Sequence, residues 1–260
     1  MKLRVGVFLG GLSSEREVSL NSGRNVYDNL DRELYEPVPI FVDGRGALWL
    51  LPWQLISQNT TADIDERLGK EAKRLAYEDV PALIDFAFLT LHGKYGEDGC
   101  FQGLLEVLGV PYSGSGVLAS ALGMDKYRQQ MILKASGINV PISLLVSEED
   151  WRDREDAVTK EVGTLTTYPL FIKPTREGSS IGVSVIRNKQ DFAGGVMEAL
   201  RWDKRVLVEE FLEGIEFSCI IIEENGEAKP LDLTEIHSQN EFYDYDDKYM
   251  PGRCRKFTPP

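Results

Sequence analysis

The sequence has few of the residues that hold metal ions or form disulfides. Its 260 residues include three cysteines and two histidines. Cys100, Cys219 and Cys254 are odd in number, widely spaced and fit no metal-binding pattern, so we expect reduced thiols in a cytoplasmic protein. A zinc site built from several histidines is excluded, because His92 and His237 are the only two.

Long apolar runs and an excess of positive charge are also lacking. No apolar run approaches the ~20 residues of a transmembrane helix, and the apolar part of the N-terminal MKLRVGVFLGG is too short for a signal peptide. The 42 acidic residues outnumber the 29 basic ones, which gives a net charge of −13. Binding to nucleic acid or to an anionic membrane calls for clustered Lys and Arg, so we expect neither partner.

The first half of the chain alternates near-continuous apolar runs with helical segments. This alternation predicts a parallel β-sheet that binds ligands at the carboxyl ends of its strands. The predicted strands are LRVGVFLGG (3–11), YEPVPIFV (35–42), DFAFLTLHG (85–93) and the short VPYSG (110–114), and the predicted helices cover about 15–30, 63–76 and 99–109.

The second half predicts an α+β arrangement with antiparallel strands. Asn225-Gly226 stands between two apolar stretches and is typical of a β-hairpin turn. The predicted strands are 141–146, 168–172, 181–186, 205–212 and two within 216–237, and the predicted helices are 117–123, 126–137, 148–161 and 189–201.

Two strands of the first half end in loops with polar side chains. In LGGLSSEREVS (9–19), Ser14 and Glu17 fit a capping box, which puts Glu15 at the first helical position. Glu15 could meet a ligand's amine there, although the stretch taken alone is better explained as a well-capped helix start. LHGKYGEDG (91–99) places His92 in the second loop, where a ligand-facing and a purely structural role both stay open.

The stretch KPTREGSSIGV (173–183) joins two predicted strands and is not a Walker A loop. Lys173 supplies positive charge, Gly178 lets backbone amides approach, and the hydroxyls of Ser179 and Ser180 donate hydrogen bonds. These are the parts of a flap over phosphates. A solvated hairpin is the alternative, but eleven residues are more than a simple turn requires.

Two further stretches could complete such a site. VLVEEFLEGIEF (206–217) places acids around a strand end, where backbone groups could bind an adenine edge and a carboxylate could accept from ribose hydroxyls. The alternative is an edge strand with charged outward residues. FYDYDDKYMPG (242–252) is a loop with aromatic anchors, which either closes over a site or packs on a surface.

Taken in order, six stretches resemble the D-alanine–D-alanine ligase family of the ATP-grasp superfamily. The resemblance implies a Rossmann-like parallel-sheet substrate-binding domain (1–114), a central ATP-grasp subdomain with the phosphate flap (115–205) and the start of a truncated C-terminal ATP-grasp subdomain (206–260). The six stretches are LGGLSSEREVSLNSG (9–23), LHGKYGEDGCFQG (91–103), PYSGSGVLASALGMDK (111–126), FIKPTREGSSIGVS (171–184), VLVEEFLEGIEFS (206–218) and FYDYDDKY (242–249).

The resemblance implies ATP-dependent ligation of two D-alanines to D-alanyl-D-alanine through an acyl phosphate, for peptidoglycan precursor synthesis. It implies D-alanine, ATP and Mg²⁺ (or Mn²⁺) as ligands, and a homodimer. Glu15 is expected to hold the ammonium of the first D-alanine in a hydrogen-bonded set with Ser179 and Tyr249. His92 is expected near the reacting carboxyl group. Tyr249 replaces the histidine of the related D-lactate ligases, which favours the dipeptide-forming type.

The remaining implied roles concern the nucleotide and the loop that closes over it. Its phosphates are expected to contact two lysines under the flap, its adenine a strand end, and its ribose a glutamate. The residues are Lys126, Lys173 and Ser180 for the phosphates, Glu209 and the backbone of Glu210 and Leu212 for adenine, Glu216 for ribose, and Lys248 and Tyr243 for the closing loop.

The chain departs from the family pattern at RKFTPP (255–260), where it stops just after the closing loop. The family continues with an arginine and a Glu-x-Asn magnesium pair, so we expect the metal ligands in a C-terminal segment missing here. Glu223-Glu224-Asn225 spells Glu-x-Asn, but the hairpin turn explains Asn225. An inactive nucleotide-binding fragment and another ATP-grasp carboxylate–amine ligase are the alternatives. The segments at Glu15 and Lys248-Tyr249 argue against the second.

Overall fold

A computed structural model describes residues 1–57, 59–238, 245–249 and 252–260. The chain divides into two compact units, Met1–Ala135 and Ser136–Pro260. None of the described helices combines the length and the apolar character needed to cross a membrane. The finer division at residues 114 and 205 stays a prediction.

The first unit is built on a five-stranded sheet with helices on both faces. Its strands are β1 (Leu3–Gly10), β2 (Tyr35–Val42), β3 (Leu48–Leu50), β4 (Lys73–Leu75) and β5 (Phe86–Leu89), in the order β4-β3-β2-β1-β5. Its helices are α1 (Arg16–Asn29), α2 (Trp53–Ile56), α3 (Thr61–Glu71), α4 (Val80–Leu83), α5 (Cys100–Leu108), α6 (Val117–Met124) and α7 (Lys126–Ala135), with a 3₁₀ turn over Tyr77–Asp79.

The parallel part of this sheet is its centre, because β1 pairs in parallel with both β2 and β5. Side chains of β1 alternate between two separate cores: Val7 and Leu9 pack with α1, α2 and α3 on one face, and Phe8 packs with α5 on the other. Burial on both faces explains why this strand reads as a continuous apolar run. Each fully buried Leu, Ile or Phe side chain contributes about 1.5–3 kcal/mol.

Two details of the first unit differ from the prediction. The helix predicted over 63–76 ends at Glu71, and Lys73–Leu75 instead forms β4, which pairs antiparallel with β3. The predicted strand 110–114 is reduced to one bridge between Ala87 and Tyr112. The sheet is therefore mixed, with parallel pairing at its centre and antiparallel pairing towards one edge.

The second unit contains a four-stranded antiparallel sheet covered by two helices, as the α+β pattern predicted. Val146, Ile172 and Val208 of the sheet pack against Trp151 and Phe192 of the helices. The strands are β6 (Ser143–Ser147), β7 (Leu170–Pro174), β8 (Ser184–Ile186) and β9 (Arg205–Glu210), in the order β6-β9-β7-β8, and the helices are α8 (Glu148–Leu165) and α9 (Lys189–Leu200).

The position of β9 within this sheet rules out the edge strand that was the alternative for residues 206–217. The segment after Arg205 is not an edge strand, because β9 lies between β6 and β7 and pairs with both. Four residues of β9, Val206 to Glu209, are buried. Glu209 therefore enters a low-dielectric environment, where a carboxylate requires a partner.

The rest of the second unit consists of short elements. These are β10 (Glu216–Ser218), β11 (Ile221–Glu224), β12 (Glu227–Pro230), β13 (Thr234–Ser238), α10 (Tyr245–Tyr249) and β14 (Cys254–Phe257), with sheets β10-β13-β14 and β11-β12. The hairpin turn predicted at Asn225-Gly226 is confirmed. Both residues have positive φ, 56° and 82°, and they connect the antiparallel β11 and β12.

Candidate functional site

Two loops of the first unit leave the same edge of the sheet, because β1 and β5 are parallel neighbours. Ser13 joins them: its Oγ accepts from the Glu15 backbone N–H at 3.1 Å and donates to the His92 carbonyl at 2.6 Å. Glu15 is buried at 3% exposure and is the N-cap residue of α1. The two predicted site residues are thus held on loops tied to each other.

The capping box predicted at Ser14 and Glu17 is wrong. Helix α1 begins after Glu15 and has no side-chain cap bond. The Glu17 carboxylate instead accepts from the backbone N–H of Thr61 at 2.8 Å and from its hydroxyl at 2.5 Å. A tertiary partner with two donors has displaced the local one, so Glu17 fixes α3 against α1.

The ring of His92 is held by one hydrogen bond. Its Nε2 lies 2.9 Å from Ser22 Oγ on α1, whereas its Nδ1 lies 3.9 Å from Glu97 Oε1, beyond hydrogen-bond distance. The other Glu97 oxygen accepts from the Gly93 N–H at 2.7 Å, which closes the loop around the ring. Such contacts fix the orientation of the imidazole towards a ligand.

Gly93 is a position where a side chain does not fit. Its φ is +69°, and a Cβ built on it would lie 2.3 Å from Glu15 Oε2 and 3.2 Å from Ser13 Oγ. The backbone of the His92 loop therefore lies directly against the Glu15 carboxylate. Only glycine allows that approach without moving one of the two groups.

A cavity of about 440 Å³ opens beside His92 within the first unit. Gln102 on α5 is buried at its wall and donates from Nε2 to the Gly96 carbonyl at 2.9 Å. Three serines also line the cavity and make it partly polar. The lining also includes Leu89, Leu91, Glu97, Ser113, Gly114, Ser115, Ala119, Ser120, Gly123 and Met124. Its volume and mixed polarity suit a small polar ligand.

Lys126 is the first residue of α7 and also belongs to the first unit. The preceding Asp125 is buried, and its carboxylate accepts from the Arg128 backbone N–H at 3.1 Å. This arrangement determines where the helix begins and hence where Lys126 lies. The predicted role of Lys126 at the nucleotide phosphates stays a prediction.

The second unit brings Lys173 of β7 together with Glu209 of the neighbouring β9. Lys173 Nζ lies 2.5 Å from Glu209 Oε2, and the two side chains are 19% and 4% exposed. A charge-assisted pair this close orders the lysine at the base of the flap. The expected contact of Glu209 with adenine stays a prediction.

The tip of the flap adopts a backbone that non-glycine residues rarely take, since φ is 49° at Ser179 and 59° at Ser180. Ser179 Oγ lies 2.6 Å from the Tyr249 hydroxyl. Lys248 Nζ donates to Ser180 Oγ at 3.0 Å. Two predicted residues of the flap therefore meet two predicted residues of the closing loop. Glu15 belongs to the first unit, so its place in this hydrogen-bonded set stays a prediction.

The remaining predicted nucleotide residues lie at the end of β9 or after it. The Glu210 carboxylate accepts from the Ile142 backbone N–H at 2.8 Å, so its side chain fastens β6 to β9. Leu212 is 62% exposed, and Glu216 lies in the exposed β10. Tyr243 lies outside the described residues. The adenine and ribose contacts stay predictions.

The described parts of the chain do not form a magnesium site. Within residues 1–57, 59–238, 245–249 and 252–260, no group of three or more His, Cys, Asp or Glu side chains could hold a metal ion. Glu223 and Asn225 of the Glu-x-Asn string lie on the exposed β11 strand and its turn. The residues described here do not fit Mg²⁺.

Three residues of this site were not identified from the sequence: Ser13, Ser22 and Glu97. Each lies within a stretch that carries the family resemblance and within a few residues or a few turns of Glu15 or His92. The sequence therefore offered only a weak indication of these three residues. It was that polar side chains near the carboxyl ends of parallel strands converge on one edge of the sheet.

The chain is similar to solved structures of ligases. VanG D-Ala:D-Ser ligase from Enterococcus faecalis is similar over 100% of this chain and 77% of its own, with 30% identity and a TM-score of 0.80. D-alanine–D-alanine ligase from Bacillus anthracis complexed with ATP is similar over 98% of this chain and 70% of its own, with 31% identity and a TM-score of 0.66. The fold is the ATP-grasp fold of these ligases.

Sequence comparison identifies the family of ligases to which the chain belongs. Family models described as D-ala D-ala ligase N-terminus and C-terminus match residues 4–115 and 132–259. The D-alanine–D-alanine ligase of Carboxydothermus hydrogenoformans is 40% identical over 260 residues, which cover 99% of this chain and 73% of that relative. The chain belongs to the D-alanine–D-alanine ligase family.

Proposed function

We propose that this protein joins two D-alanines into D-alanyl-D-alanine in an ATP-dependent reaction that supplies peptidoglycan precursors. The observation that carries the proposal is the flap tip, where Ser179 and Ser180 meet Tyr249 and Lys248. A cover that combines a lysine, hydroxyls and a left-handed backbone suits the phosphates of a nucleotide. Membership of the family supplies the substrates.

The proposed reaction has two steps. An oxygen of the first D-alanine's carboxylate attacks the terminal phosphorus of ATP, and the bond from that phosphorus to ADP breaks, which gives an acyl phosphate. The amine of the second D-alanine loses a proton and attacks the acyl carbon. The C–N bond forms, the nitrogen gives up a second proton, the C–O bond to phosphate breaks, and inorganic phosphate leaves carrying that proton. Such chemistry depends mainly on positioning and charge neutralisation.

In this proposal the first unit binds the first D-alanine. Its ammonium pairs with the Glu15 carboxylate, and its carboxylate lies near His92. Support comes from the geometry of the two loops, since Ser13 ties them and Ser22 orients the imidazole. A buried carboxylate beside a fixed imidazole suits an amino acid, which carries one positive and one negative group.

Most of the nucleotide contacts are assigned to the second unit, and one is assigned to the first. Lys173 of the second unit and Lys126 of the first neutralise phosphate charge, Ser180 donates to a phosphate from the flap, and Lys248 and Tyr243 belong to the closing loop. Glu209 and the backbone of Glu210 and Leu212 are assigned to adenine, and Glu216 is assigned to ribose. Mg²⁺, or Mn²⁺ in its place, accompanies ATP in the proposal, and no step is assigned to it because the described residues do not fit it.

The proposal extends to the organisation of the protein. It includes the division into domains 1–114, 115–205 and 206–260, a homodimer, and a cytoplasmic location, where ATP is available. Sedimentation of the purified protein tests the homodimer, and a monomer at micromolar concentration contradicts it.

The test is D-alanine-dependent phosphate release from Mg-ATP, together with mass-spectrometric detection of D-alanyl-D-alanine. Both the 260-residue chain and the complete product of its gene are assayed, because the chain spans 73% of the Carboxydothermus relative. We expect dipeptide and phosphate in equal amounts from the complete product. L-alanine serves as the substrate control. Absence of dipeptide from both proteins overturns the proposal.

Two variants test the residue roles in the active protein. Lys173→Ala should weaken Mg-ATP binding roughly tenfold or more, because a hydrogen bond to a charged group is lost. Lys160→Ala, an exposed lysine on α8, is its matched control. Glu15→Gln should lower kcat/KM for D-alanine roughly 10- to 100-fold with little effect on ATP binding, and the exposed Glu33→Gln should not. Unchanged kinetics in both test variants refutes the assignments.

A second candidate is ligation of D-alanine to D-serine. It is favoured by the similarity to VanG D-Ala:D-Ser ligase, which covers all of this chain. Competition between D-alanine, D-serine and D-lactate at equal concentration separates the candidates. A predominance of D-alanyl-D-alanine supports the first, whereas a predominance of the mixed dipeptide supports the second. Tyr249 predicts little incorporation of D-lactate.

A further inference from the structure

Beside the flap lies a buried carboxylate that the proposed reaction does not use. Asp203 follows α9 and its side chain is 1% exposed. It accepts from the hydroxyl of Thr175 at 2.6 Å and from Arg176, whose Nη2 lies 2.8 Å from one carboxylate oxygen and whose Nε lies 3.2 Å from the other. Thr175 and Arg176 are the first residues of the flap after β7. A buried carboxylate thus holds the beginning of the flap with three hydrogen bonds.

The far end of the flap, at Gly182, packs against Trp202, the residue that precedes Asp203. A Cβ built on Gly182 would lie 2.5 Å from Trp202 Cδ1 and 2.9 Å from Pro174 Cγ, and φ at Gly182 is +69°. The flap therefore returns to β8 in close contact with the Trp202 ring. Both ends of the flap are fixed on the same two-residue turn, Trp202-Asp203.

The same turn also leads directly into β9, which begins at Arg205 and carries Glu209. Glu209 holds Lys173, three residues before Arg176, and Ser179 follows Arg176 by three residues. Arg176 is therefore centred between the lysine and the hydroxyls of the flap. Any tilt of the flap at Arg176 moves Ser179 and Ser180 relative to Lys173.

We propose that the Trp202-Asp203 turn is the anchor that sets the position of the flap, with Arg176 and Asp203 as positioning residues. Their effect on nucleotide binding rests on the proposed function, whereas their effect on flap opening does not. The guanidinium fork makes two parallel bonds to a carboxylate and fixes an angle as well as a distance. Lysine at position 176 retains the charge but not that angle.

Flap opening is measured first, without nucleotide. Glu177 is 7% exposed, so cleavage after it by a glutamate-specific protease requires the flap to open. Mass spectrometry follows this one bond, and the rate is normalised to that of the denatured chain. We expect Arg176→Ala and Arg176→Lys to raise the rate, by roughly tenfold for the alanine variant. Arg152→Ala, which removes an exposed Arg–Asp pair on α8, is the matched control and should leave the rate unchanged.

A double variant separates anchoring from simple loss of stability. Arg176→Gln with Asp203→Asn removes both charges and keeps similar shapes, so no charge is buried without its partner. We expect a stability near that of the natural chain in urea denaturation and a cleavage rate that is still raised. A double variant that restores the natural cleavage rate overturns the proposal, because the single variants then act through a buried charge and not through the fork.

Kinetics in the complete gene product test the consequence. Arg176→Lys should raise the KM for ATP roughly tenfold and raise the KM for D-alanine much less, since the loops of Glu15 and His92 are on the other unit and only Ser179 of the flap is assigned to the first substrate. Equal rises in both KM values overturn the positioning role. If the natural protein binds no Mg-ATP, the proposed function fails, and the nucleotide-free cleavage rates alone decide whether the anchor exists.

Discussion

Replacement of Gly93 by alanine is the sharpest test of how the first unit holds its carboxylate. The added Cβ would lie 2.3 Å from Glu15 Oε2, and real Cβ atoms essentially never approach other heavy atoms closer than 3.0 Å. The carboxylate, or the loop that carries Gly93, must therefore withdraw by about 0.7 Å or more. The positive φ of +69° adds backbone strain.

The backbone strain and the displacement of the Glu15 carboxylate should differ in their consequences. Strain from an alanine at positive φ costs about 1 kcal/mol of stability. Misplacement of a substrate-binding group by about 1 Å can lower a rate by roughly 100-fold. We therefore expect Gly93→Ala to lose about 1 kcal/mol in urea denaturation and roughly 10- to 100-fold in kcat/KM for D-alanine.

Gly46→Ala is the matched control for this experiment. Gly46 has a φ of +86°, but the atom nearest to its built Cβ is the Tyr77 hydroxyl at 3.6 Å, an ordinary contact. The control should therefore lose similar stability and keep its kcat/KM. If Gly93→Ala also keeps its kcat/KM, Glu15 does not hold the D-alanine ammonium in the position inferred here.

Two further predictions concern titration. Hydrogen bonds from Arg4 lower the pKa of Asp85 from 3.8 to about 2. Because the folded-state pKa is depressed, the stabilisation is present above pH 3.8 and is lost as the pH falls towards 2. Asp85→Asn should make the urea midpoint depend less on pH across that range. A pH dependence equal to that of the natural chain would contradict this prediction. Burial, and then Asp98, raise the pKa of Cys100 above 9.0, so iodoacetamide at pH 8 should alkylate it more slowly than Cys219. Equal rates would contradict the shift.

The parts of the fold that the sequence predicted are those decided by local pattern. A near-continuous apolar run predicts a strand buried on both faces, and β1 is buried from Val5 to Gly10. Asn225-Gly226 predicts its own turn, because few residue pairs accept two positive φ values. The three-residue strands β3 and β4 carry no such pattern. They form because β3 pairs with β2 and β4 pairs with β3.

The candidate site likewise contains some features that the sequence predicted and others that it did not. The alternation of strands and helices predicted that the loops of Glu15 and His92 leave the carboxyl edge of a parallel sheet. The pairing of β1 with β5, which makes the two loops neighbours, was not predicted. The capping box was not a reliable signal, because Glu17 had a stronger partner 44 residues away in Thr61. Asp203 gave no local signal either. Its partners lie 27 and 28 residues earlier in the chain, and only the packing of β9 beside β7 brings them together.

The β11–β12 hairpin offers a place where the chain can be extended or labelled. Every residue of both strands is exposed, and the strands form a separate two-stranded sheet. Exposed hairpin tips of this kind tolerate inserted residues because no core packing depends on them. A peptide tag or fluorophore between Asn225 and Gly226 would thus report on the second unit while leaving its main sheet and the flap intact.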